Sequence, residues 1–522
     1  MVKKILSISL LLSISALLLG TGSLVQAAEA FDGNVILGRP TDTTMSVSVM
    51  GFSDQDVYVQ YGHGSDNYDE TTSVESLQTN DPHVFELTGL DPDAGYSYRL
   101  RFRQGGEGDF LDSESADFHT ARAKGSEFTF AVEADSHMGA MTRQQKWCDT
   151  CGRELADDVT MANTMANMVT YNPDFLVDLG DTFMTSQNFG NGLFEIQNRQ
   201  RGAPIREEDA VGDYLLLRGH LSQSAFTVPL FLVLGNHDAE RRSRLNGTPD
   251  SLGVWANNSR KRYFPTPTAN GFYTGSVEDV PHIGRHDGHF AWEWGDALFV
   301  GLDPFWDSFG GGPWGRTLGR DQFDWLKETL EASDATFKFV FLHHLIGGLD
   351  NPFGGSRGGH IYAEYFEWGG RTPFDFENWT APRGPEAAAA WKPRPRIDPE
   401  TESYDFDEHR EGWGVPIHQM LVDNGVNVVF HGHDHVYVKE VHRDGIIYQA
   451  VAQPSRKGGP PNLEMAEHEG YDIENGVVVS SPGFLNVSVS ADEVTVEYVK
   501  TVEDCAIADC SYIADTYTIP AD

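Results

Sequence analysis

The side chains best suited to chemistry lie in five short motifs that combine aspartate, asparagine and histidine. The motifs are Asp135-Ser136-His137, Gly180-Asp181, Gly235-Asn236-His237-Asp238, His343-His344 and Gly432-His433-Asp434-His435. Oxygen and imidazole donors without thiolates suit Mn, Fe, Co or Zn as divalent ions. A carboxylate that bridges two such ions can hold them about 3.5–4 Å apart, as phosphoester hydrolysis commonly requires. The residue types therefore predict a hydrolytic metal centre.

The five motifs differ in specificity. A Gly-Asp pair is common in turns, so Asp181 alone says little, whereas Gly-Asn-His-Asp is more specific and Gly-His-Asp-His is the most specific. A lone buried histidine is more often a satisfied core residue than a ligand. The occurrence of all five motifs in this order favours one shared site.

Each motif follows an apolar run that indicates a buried strand. The runs are residues 128–132, 175–179, 230–234, 339–342 and 426–430. They lack strict alternation, which is typical of strands covered on both faces in α/β layers. Because ligands of open α/β sheets bind outside the carboxyl ends of the strands, we expect the motifs to converge there.

Helical stretches separate these strands. Residues 321–330 place Phe323, Leu326 and Leu330 on one helical face, and residues 417–422 end at Asn424-Gly425, a typical helix C-cap. Strands at residues 446–451, 485–489 and 494–499 are expected to complete the sheets. The predicted fold class of this part is α/β.

The first part of the chain has a different pattern. Between residues 34 and 120, short runs alternate between apolar and polar residues, as at Tyr96, Tyr98, Leu100 and Phe102, and turn residues separate the runs. This pattern predicts a β-sandwich. Leu90, Pro92 and Tyr96 also resemble the tyrosine corner of immunoglobulin-like folds. We expect a structural all-β module over residues 29–122.

The motif series resembles the calcineurin-like metallophosphoesterase superfamily, whose pattern is Asp-x-His, Gly-Asp, Gly-Asn-His-Asp/Glu, a later His and Gly-His-x-His. All five elements are present between Asp135 and His435. The β-sandwich start is similar to the N-terminal domain of purple acid phosphatases, which is fibronectin III/immunoglobulin-like. The resemblance implies an αββα metallophosphoesterase domain over residues 123–522.

The resemblance also assigns roles to the motif residues. One metal ion would be held by Asp135, His137, Asp181 and His435, and the other by Asp181, Asn236, His343 and His433. Asp181 would therefore bridge both ions. His237 would contact a phosphate oxygen or protonate the leaving group, oriented by Asp238, and Asn236 and His344 would also face the substrate. The family pattern favours His343 over His344 as the ligand, and the residues alone leave both open.

The implied cofactor is a pair of divalent or mixed-valence metal ions, with Fe, Zn or Mn as candidates. Purple acid phosphatases supply a tyrosine three residues after the bridging aspartate, but this chain has Met184 there. No tyrosinate would stabilise Fe(III), and His137 takes the vacant place, as in phosphodiesterase-like branches. The implied metal site therefore differs from that of a purple acid phosphatase.

The function implied is hydrolysis of phosphate monoesters, in which a hydroxide activated by both ions attacks phosphorus in line with the ester oxygen. A phosphodiesterase or nucleotide hydrolase on the same site is the alternative. A non-catalytic metal-binding protein is a third hypothesis. It is disfavoured by the presence of His237, which would not bind metal and would serve only the chemistry. The expected partner is a phosphorylated small molecule, and no protein partner is predicted.

The amino terminus indicates export. Lys3 and Lys4 precede an apolar run over residues 5–19, and Val25-Gln26-Ala27 forms a small-x-small cleavage pattern. This predicts a signal peptide over residues 1–28 and a secreted or periplasmic protein. The run is shorter than the roughly 20 residues of a membrane span, so no stable anchor is expected. The net charge of −40 would repel a nucleic-acid backbone.

The four cysteines form two local pairs, Cys148 with Cys151 and Cys505 with Cys510. In an oxidising compartment, two short-loop disulfides are the expected state. A shared zinc site is the alternative, because Cys-x-x-Cys is also a metal-binding spacing. The absence of histidines close to either pair in sequence favours the disulfides.

Overall fold

The computed structural model of the chain describes residues 30–106, 108–138, 156–182, 206–309, 313–345, 363–372, 403–456, 471, 476–502 and 510–521. The predicted signal peptide, Met184, Cys148, Cys151 and Cys505 lie outside the described residues. None of the described helices is long and apolar enough to cross a bilayer.

The first nine elements of the described chain are strands, and helices occur among the strands from residue 158 onward. The strands are β1 (Gly33–Gly38), β2 (Thr44–Gly51), β3 (Gln55–His63), β4 (Glu70–Thr71), β5 (Glu75–Leu77), β6 (His83–Thr88), β7 (Gly95–Gln104), β8 (Leu111–His119), β9 (Phe128–Glu133), β10 (Phe175–Asp178), β11 (Leu230–Leu232), β12 (Thr274–Gly275), β13 (Asp279–Val280), β14 (Gly284–Arg285), β15 (Phe290–Trp294), β16 (Ala297–Gly301), β17 (Phe337–Leu342), β18 (Arg371–Thr372), β19 (Ser403–Tyr404), β20 (Val428–His431), β21 (Tyr437–Val441), β22 (Ile447–Ala450), β23 (Val477–Val479), β24 (Gly483–Val489), β25 (Glu493–Thr501) and β26 (Ser511–Pro520). The α-helices are α1 (Asp158–Val169), α2 (Glu207–Ala225), α3 (Leu252–Tyr263), α4 (Arg320–Ala332), α5 (Phe366–Gly369), α6 (Phe406–His409) and α7 (Ile417–Asp423), and 3-10 turns lie at Arg242–Arg244 and Pro313–Gly315.

Two mixed sheets stack face to face at the centre of the molecule. One has the strand order β26-β25-β24-β9-β10-β11-β1-β2-β6, and the other has the order β12-β15-β16-β17-β20-β22-β21-β23. Phenylalanines fill the space between them: Phe130 and Phe175 pack edge-on against Phe299, with ring centroids 5.1 and 5.2 Å apart. Buried aromatic area of this kind is a large source of stability, and it fixes the separation of the sheets.

Helices cover the outer face of each sheet. Met165 of α1 and Leu221 of α2 share an apolar cluster with the first sheet, and Leu326 of α4 and Leu421 of α7 share one with the second. The result is a four-layer arrangement of helices, sheet, sheet and helices, as predicted. The five strands expected before the motifs are confirmed as β9, β10, β11, β17 and β20.

The N-terminal region is rich in strands, as predicted, but it is not closed off as a separate sandwich. Strands β3, β4, β5, β7 and β8 form their own sheet, and an apolar cluster packs it against β1, β2 and β6. However, β1 also pairs in parallel with β11 through Gly38 and Leu230, so these three strands extend the nine-stranded sheet. The immunoglobulin-like assignment therefore stays a prediction. Tyr96 does bond back to the backbone, accepting a hydrogen bond from Asp91 N–H at 2.7 Å.

A buried arginine fastens this region to the helices behind the first sheet. Arg218 of α2 is fully buried and donates to Asn34 Oδ1 of β1 at 2.7 Å and to Ser48 Oγ and O of β2 at 3.0 and 2.8 Å. It also donates to the carbonyl oxygen of Tyr263 in α3. Burial lowers the pKa of Arg218 to about 9, so the side chain is charged at neutral pH. One guanidinium thus links two helices to two strands.

We predict that Arg218→Met destabilises the protein by about 3 kcal/mol, because several buried acceptors lose their donor together. Denaturant unfolding measures this loss. Arg262→Met is the matched control: Arg262 pairs with Asp81 at 2.9 Å, but both side chains are about half exposed. Such a pair contributes less than about 1 kcal/mol, so equal losses in the two variants would contradict the role assigned to Arg218.

Candidate metal centre

The five motifs all follow the carboxyl ends of parallel strands. Strands β9, β10 and β11 are parallel neighbours in the first sheet, and β17 and β20 are parallel neighbours in the second. Because the sheets stack, the loops that leave these strands meet at one edge. The predicted ligands on those loops are Asp135 and His137 after β9, Asp181 after β10, Asn236 after β11, His343 after β17, and His433 and His435 after β20.

The backbone of these loops is unusual. Five of the predicted ligands, Asp135, His137, Asp181, His433 and His435, have φ between 47° and 75°. Non-glycine residues rarely adopt this left-handed region, and clusters of them are typical of functional sites. The side chains of Asp135, His137 and His435 nevertheless converge, with ligand atoms within 4.8 Å of one another.

Two glycines allow the first-sheet loops to approach closely. A Cβ atom on Gly235 would lie 2.3 Å from both the nitrogen and Oδ1 of Asp181, and one on Gly180 would lie 2.3 Å from Gly235 N. No side chain fits at such distances. The glycines of the Gly-Asp and Gly-Asn-His-Asp motifs are therefore required by the contact between their loops.

One group of donors surrounds Asp135. His435 Nε2 lies 3.3 Å from Asp135 Oδ1, and His137 Nε2 lies 3.6 Å from the same oxygen. The two imidazole nitrogens are 3.0 Å apart. Asp181 Oδ2 is 4.0 Å from His137 Nε2. These four side chains can therefore direct ligand atoms at a single ion.

A second group surrounds His343. Its Nε2 lies 3.0 Å from Asp181 Oδ2, 3.0 Å from Asn236 Oδ1 and 3.3 Å from His433 Nδ1. Ligand atoms bound at about 2.0–2.2 Å to one ion are separated by such distances. Asp181 belongs to both groups, and its Oδ2 is the atom that faces both.

Hydrogen bonds with the backbone hold these donor side chains in place. His343 Nδ1 lies 2.9 Å from the carbonyl oxygen of Leu179, which leaves Nε2 directed at the carboxylates. Asp135 Oδ2 accepts from His433 N–H at 2.6 Å, and Asp181 Oδ1 accepts from His237 N–H at 2.5 Å. Partners of this kind orient metal ligands in proteins.

The electrostatics fit a cation. Asp135, Asp181 and His343 are each at most 1% exposed, and a buried carboxylate is costly without positive charge beside it. Burial on its own would lower the pKa of His343, but the charges of Asp181 and Asp135 raise it to about 9. Burial also opposes ionisation of Asp181, yet the neighbouring His343 and His237 hold its pKa below the usual range. The donor set therefore fits a pair of metal ions.

His237 lies beside the two groups. Its Nε2 is 3.8 Å from Asp181 Oδ2, its ring meets that of His137 edge-on at 5.0 Å, and burial lowers its pKa to about 4. With His137 and Asp181 it forms a third set of atoms close enough to ligate one ion. Geometry alone therefore permits His237 either to bind metal or to face a substrate.

Asp238 and His344 are placed differently from the other predicted residues. The Asp238 carboxylate accepts hydrogen bonds from Gly235 N–H at 2.6 Å and Asp181 N–H at 3.2 Å, and so it joins the two loops. The His344 ring packs edge-on against His433, with centroids 4.5 Å apart. His343 is the neighbour that faces the carboxylates.

Three further residues near the site were not singled out from the sequence. Glu133 and Asp178 end β9 and β10, are fully buried, and burial raises both of their pKa values, that of Asp178 to about 8. Arg241 donates to the carbonyl oxygen of Asn236 and lies over the ring of Phe305. Burial lowers the pKa of Arg241 to about 10, so it stays charged at neutral pH. In the sequence, Arg241 lies four residues after His237, and this closeness to a motif was the signal that could have identified it.

Comparisons with known proteins agree with this arrangement. The family model for the calcineurin-like phosphoesterase matches residues 128–437. The solved structure of PhoD is similar, with 14% identity, coverage of 95% of this chain and 91% of PhoD, and a TM-score of 0.60. The purple acid phosphatase PPD1 from yellow lupin (Lupinus luteus) seeds has 14% identity, coverage of 95% and 75%, and a TM-score of 0.53. At this identity the two structures show a shared fold, and no curated protein matches at a significant level.

We predict that His343→Ala lowers the zinc content of the reconstituted protein by about one ion per chain, because the second donor group loses a ligand. Elemental analysis after desalting measures the content. His344→Ala is the matched control and should keep the wild-type content. A greater loss in His344→Ala than in His343→Ala would reverse the assignment.

Proposed function

Because this chain belongs to the calcineurin-like phosphoesterase family and is a metal-dependent phosphoesterase, we propose that it hydrolyses phosphate monoesters at the centre described above. The observation that carries the proposal is the sharing of Asp181 by two donor groups. A family enzyme with such a pair of adjacent groups has the geometry that two-ion phosphoryl chemistry needs.

The proposed ligands of one ion are Asp135, His137, Asp181 and His435, and those of the other are Asp181, Asn236, His343 and His433. Donor separations of 3.0–4.0 Å support this division. When bound, the two ions would lower the pKa of a water molecule and neutralise phosphate oxygens. The proposed metals are Fe, Zn or Mn.

His237 is proposed to contact a phosphate oxygen or to protonate the leaving group. Its backbone is held by Asp181 Oδ1, so its ring keeps a fixed position beside the bridging carboxylate. Asn236 would face the substrate from the same loop, with His344 as a further candidate. Asp238 would keep this loop against the Asp181 loop through its two backbone contacts.

The preference for monoesters rests on charge. A monoester carries up to two negative charges on phosphorus and a diester carries one, so extra positive charge favours the monoester. Arg241 supplies a partly buried guanidinium next to Asn236, and arginine recognises phosphate well. The alternative, a phosphodiesterase or nucleotide hydrolase, is supported by His137, which joins the first donor group as in phosphodiesterase-like branches.

Further proposals concern the whole chain. Residues 1–28 would be a cleaved signal peptide and the mature protein would be secreted or periplasmic, since the leader pattern is typical of export. Residues 29–122 would form the purple acid phosphatase-like module, immunoglobulin-like in type, and residues 123–522 the phosphoesterase domain. Two short-loop disulfides, Cys148–Cys151 and Cys505–Cys510, would suit that compartment.

We predict that metal-free protein hydrolyses neither ester, and that added Mn, Zn or Fe(II) restores faster turnover of an aryl phosphate monoester than of an aryl diester. Both rates are measured by release of the phenol. A faster diester would establish the alternative specificity, and no turnover of either ester with any metal would contradict the proposed substrate class.

Two variants separate metal binding from chemistry in the same assay. Asn236→Ala should lose both metal and turnover, because it removes a ligand. His237→Ala should keep its metal while kcat falls about 10²–10⁴-fold, the usual contribution of an acid–base group. Unchanged turnover in His237→Ala, or loss of its metal, would contradict the non-ligand role.

A further inference from the structure

A second group of metal-binding side chains lies away from the dinuclear centre. His418 is in the first turn of α7, His442 directly follows β21, and Asp444 lies in the turn between β21 and β22. This turn is at the end of the sheet where β20 begins, because Val428 pairs with Ile447. His433 and His435 follow the opposite end of β20, so the two sites lie at opposite ends of the same sheet.

The three donor atoms have the spacing of ligands around one ion. Asp444 Oδ2 lies 3.3 Å from His418 Nε2 and 3.2 Å from His442 Nδ1, and all three atoms lie within 4.8 Å of one another. In a tetrahedral zinc site with bonds of about 2.0–2.1 Å, neighbouring donors are about 3.3 Å apart. The two separations from Asp444 therefore match those of a tetrahedral site.

In each imidazole, the ring nitrogen that does not face Asp444 is also held by a hydrogen bond. His442 Nε2 lies 2.9 Å from Glu364 Oε1, and His418 Nδ1 lies 2.7 Å from the Tyr448 hydroxyl, which itself accepts from Trp368 Nε1–H at 3.0 Å. A carboxylate or hydroxyl behind a histidine is the usual support of a metal ligand, because it fixes the tautomer and the ring plane. Asp444 N–H donates to His442 Nδ1 at 3.3 Å, and this long hydrogen bond would give way when Nδ1 binds the ion.

Burial and charge also suit a cation. His442 and His418 are 3% and 7% exposed, whereas the Asp444 side chain is 40% exposed, so an ion can enter from solvent and keep a water as its fourth ligand. Arg443 lies 3.0 Å from Glu364 and 3.9 Å from Asp444. Because Arg443 is 65% exposed, its side chain can turn into solvent when another cation takes its place.

We propose that His418, His442 and Asp444 bind one divalent ion of the zinc class, separate from the dinuclear centre. Two imidazoles and one carboxylate are a common zinc ligand set. The ion would join α7 to the β21–β22 turn and, through Glu364 behind His442, to the segment of residues 363–372. Its role is structural, and it does not depend on which ester the enzyme hydrolyses.

The test compares zinc content in matched full-length proteins. Wild type, Asp444→Ala and the control Asp423→Ala are stripped of metal, reconstituted with Zn²⁺, desalted and analysed for zinc per chain. Asp423 is an exposed carboxylate on the same helix as His418 and is outside the cluster. Asp444→Ala should hold about one zinc ion fewer than both other proteins, as expected for loss of a three-ligand site.

Two further measurements complete the comparison. Turnover of the aryl monoester by Asp444→Ala should stay within about twofold of wild type, because the cluster is distant from the catalytic strand ends. Asp444→Asn, which keeps the side-chain shape, should lose the same ion, and its melting curve without zinc shows whether it is folded. Equal zinc content in wild type and both Asp444 variants, or an equal loss in Asp423→Ala, would overturn the proposal.

Discussion

The carboxylate of Asp181 is contacted by residues that follow strands of both sheets. It is almost fully buried, its Oδ1 is held by the backbone of the β11 loop, and its Oδ2 faces His343 on the second sheet. A buried carboxylate has a high free-energy cost unless positive charge lies beside it. The packing of one sheet against the other therefore determines whether the ligands from both sheets reach this oxygen at binding distance.

The loops around Asp181 depend on the layers below them. Five of the proposed ligand residues adopt left-handed backbone conformations, each of which costs about 1–3 kcal/mol unless the surrounding structure imposes it. Such strain persists only on rigid supports, and the phenylalanine core between the sheets provides them. Asp135, Asp181 and His343 are themselves buried, and low exposure to water strengthens the electrostatic interactions among them.

Much of this could be predicted from the sequence, because the strands below the site are buried on both faces and leave continuous apolar runs. The motifs were equally visible, since each proposed ligand follows the end of a strand. What local patterns cannot show is pairing between distant segments. The contact of β1 with β11, the burial of Arg218 in a polar-looking helix, and the meeting of His418 with Asp444 all arise from tertiary packing. Asp238 illustrates the same limit, since only the fold shows that its carboxylate accepts hydrogen bonds from backbone N–H groups of two separate loops.

The most direct test of a dinuclear centre at Asp181 is anomalous X-ray diffraction from crystals of the zinc-loaded protein, with data collected on both sides of the zinc absorption edge. We predict two anomalous peaks about 3.5–4 Å apart, both within bonding distance of the Asp181 carboxylate, one on the His137 side and one on the His343 side. A single peak at this edge of the sheets, or two peaks that do not share Asp181, would contradict the account.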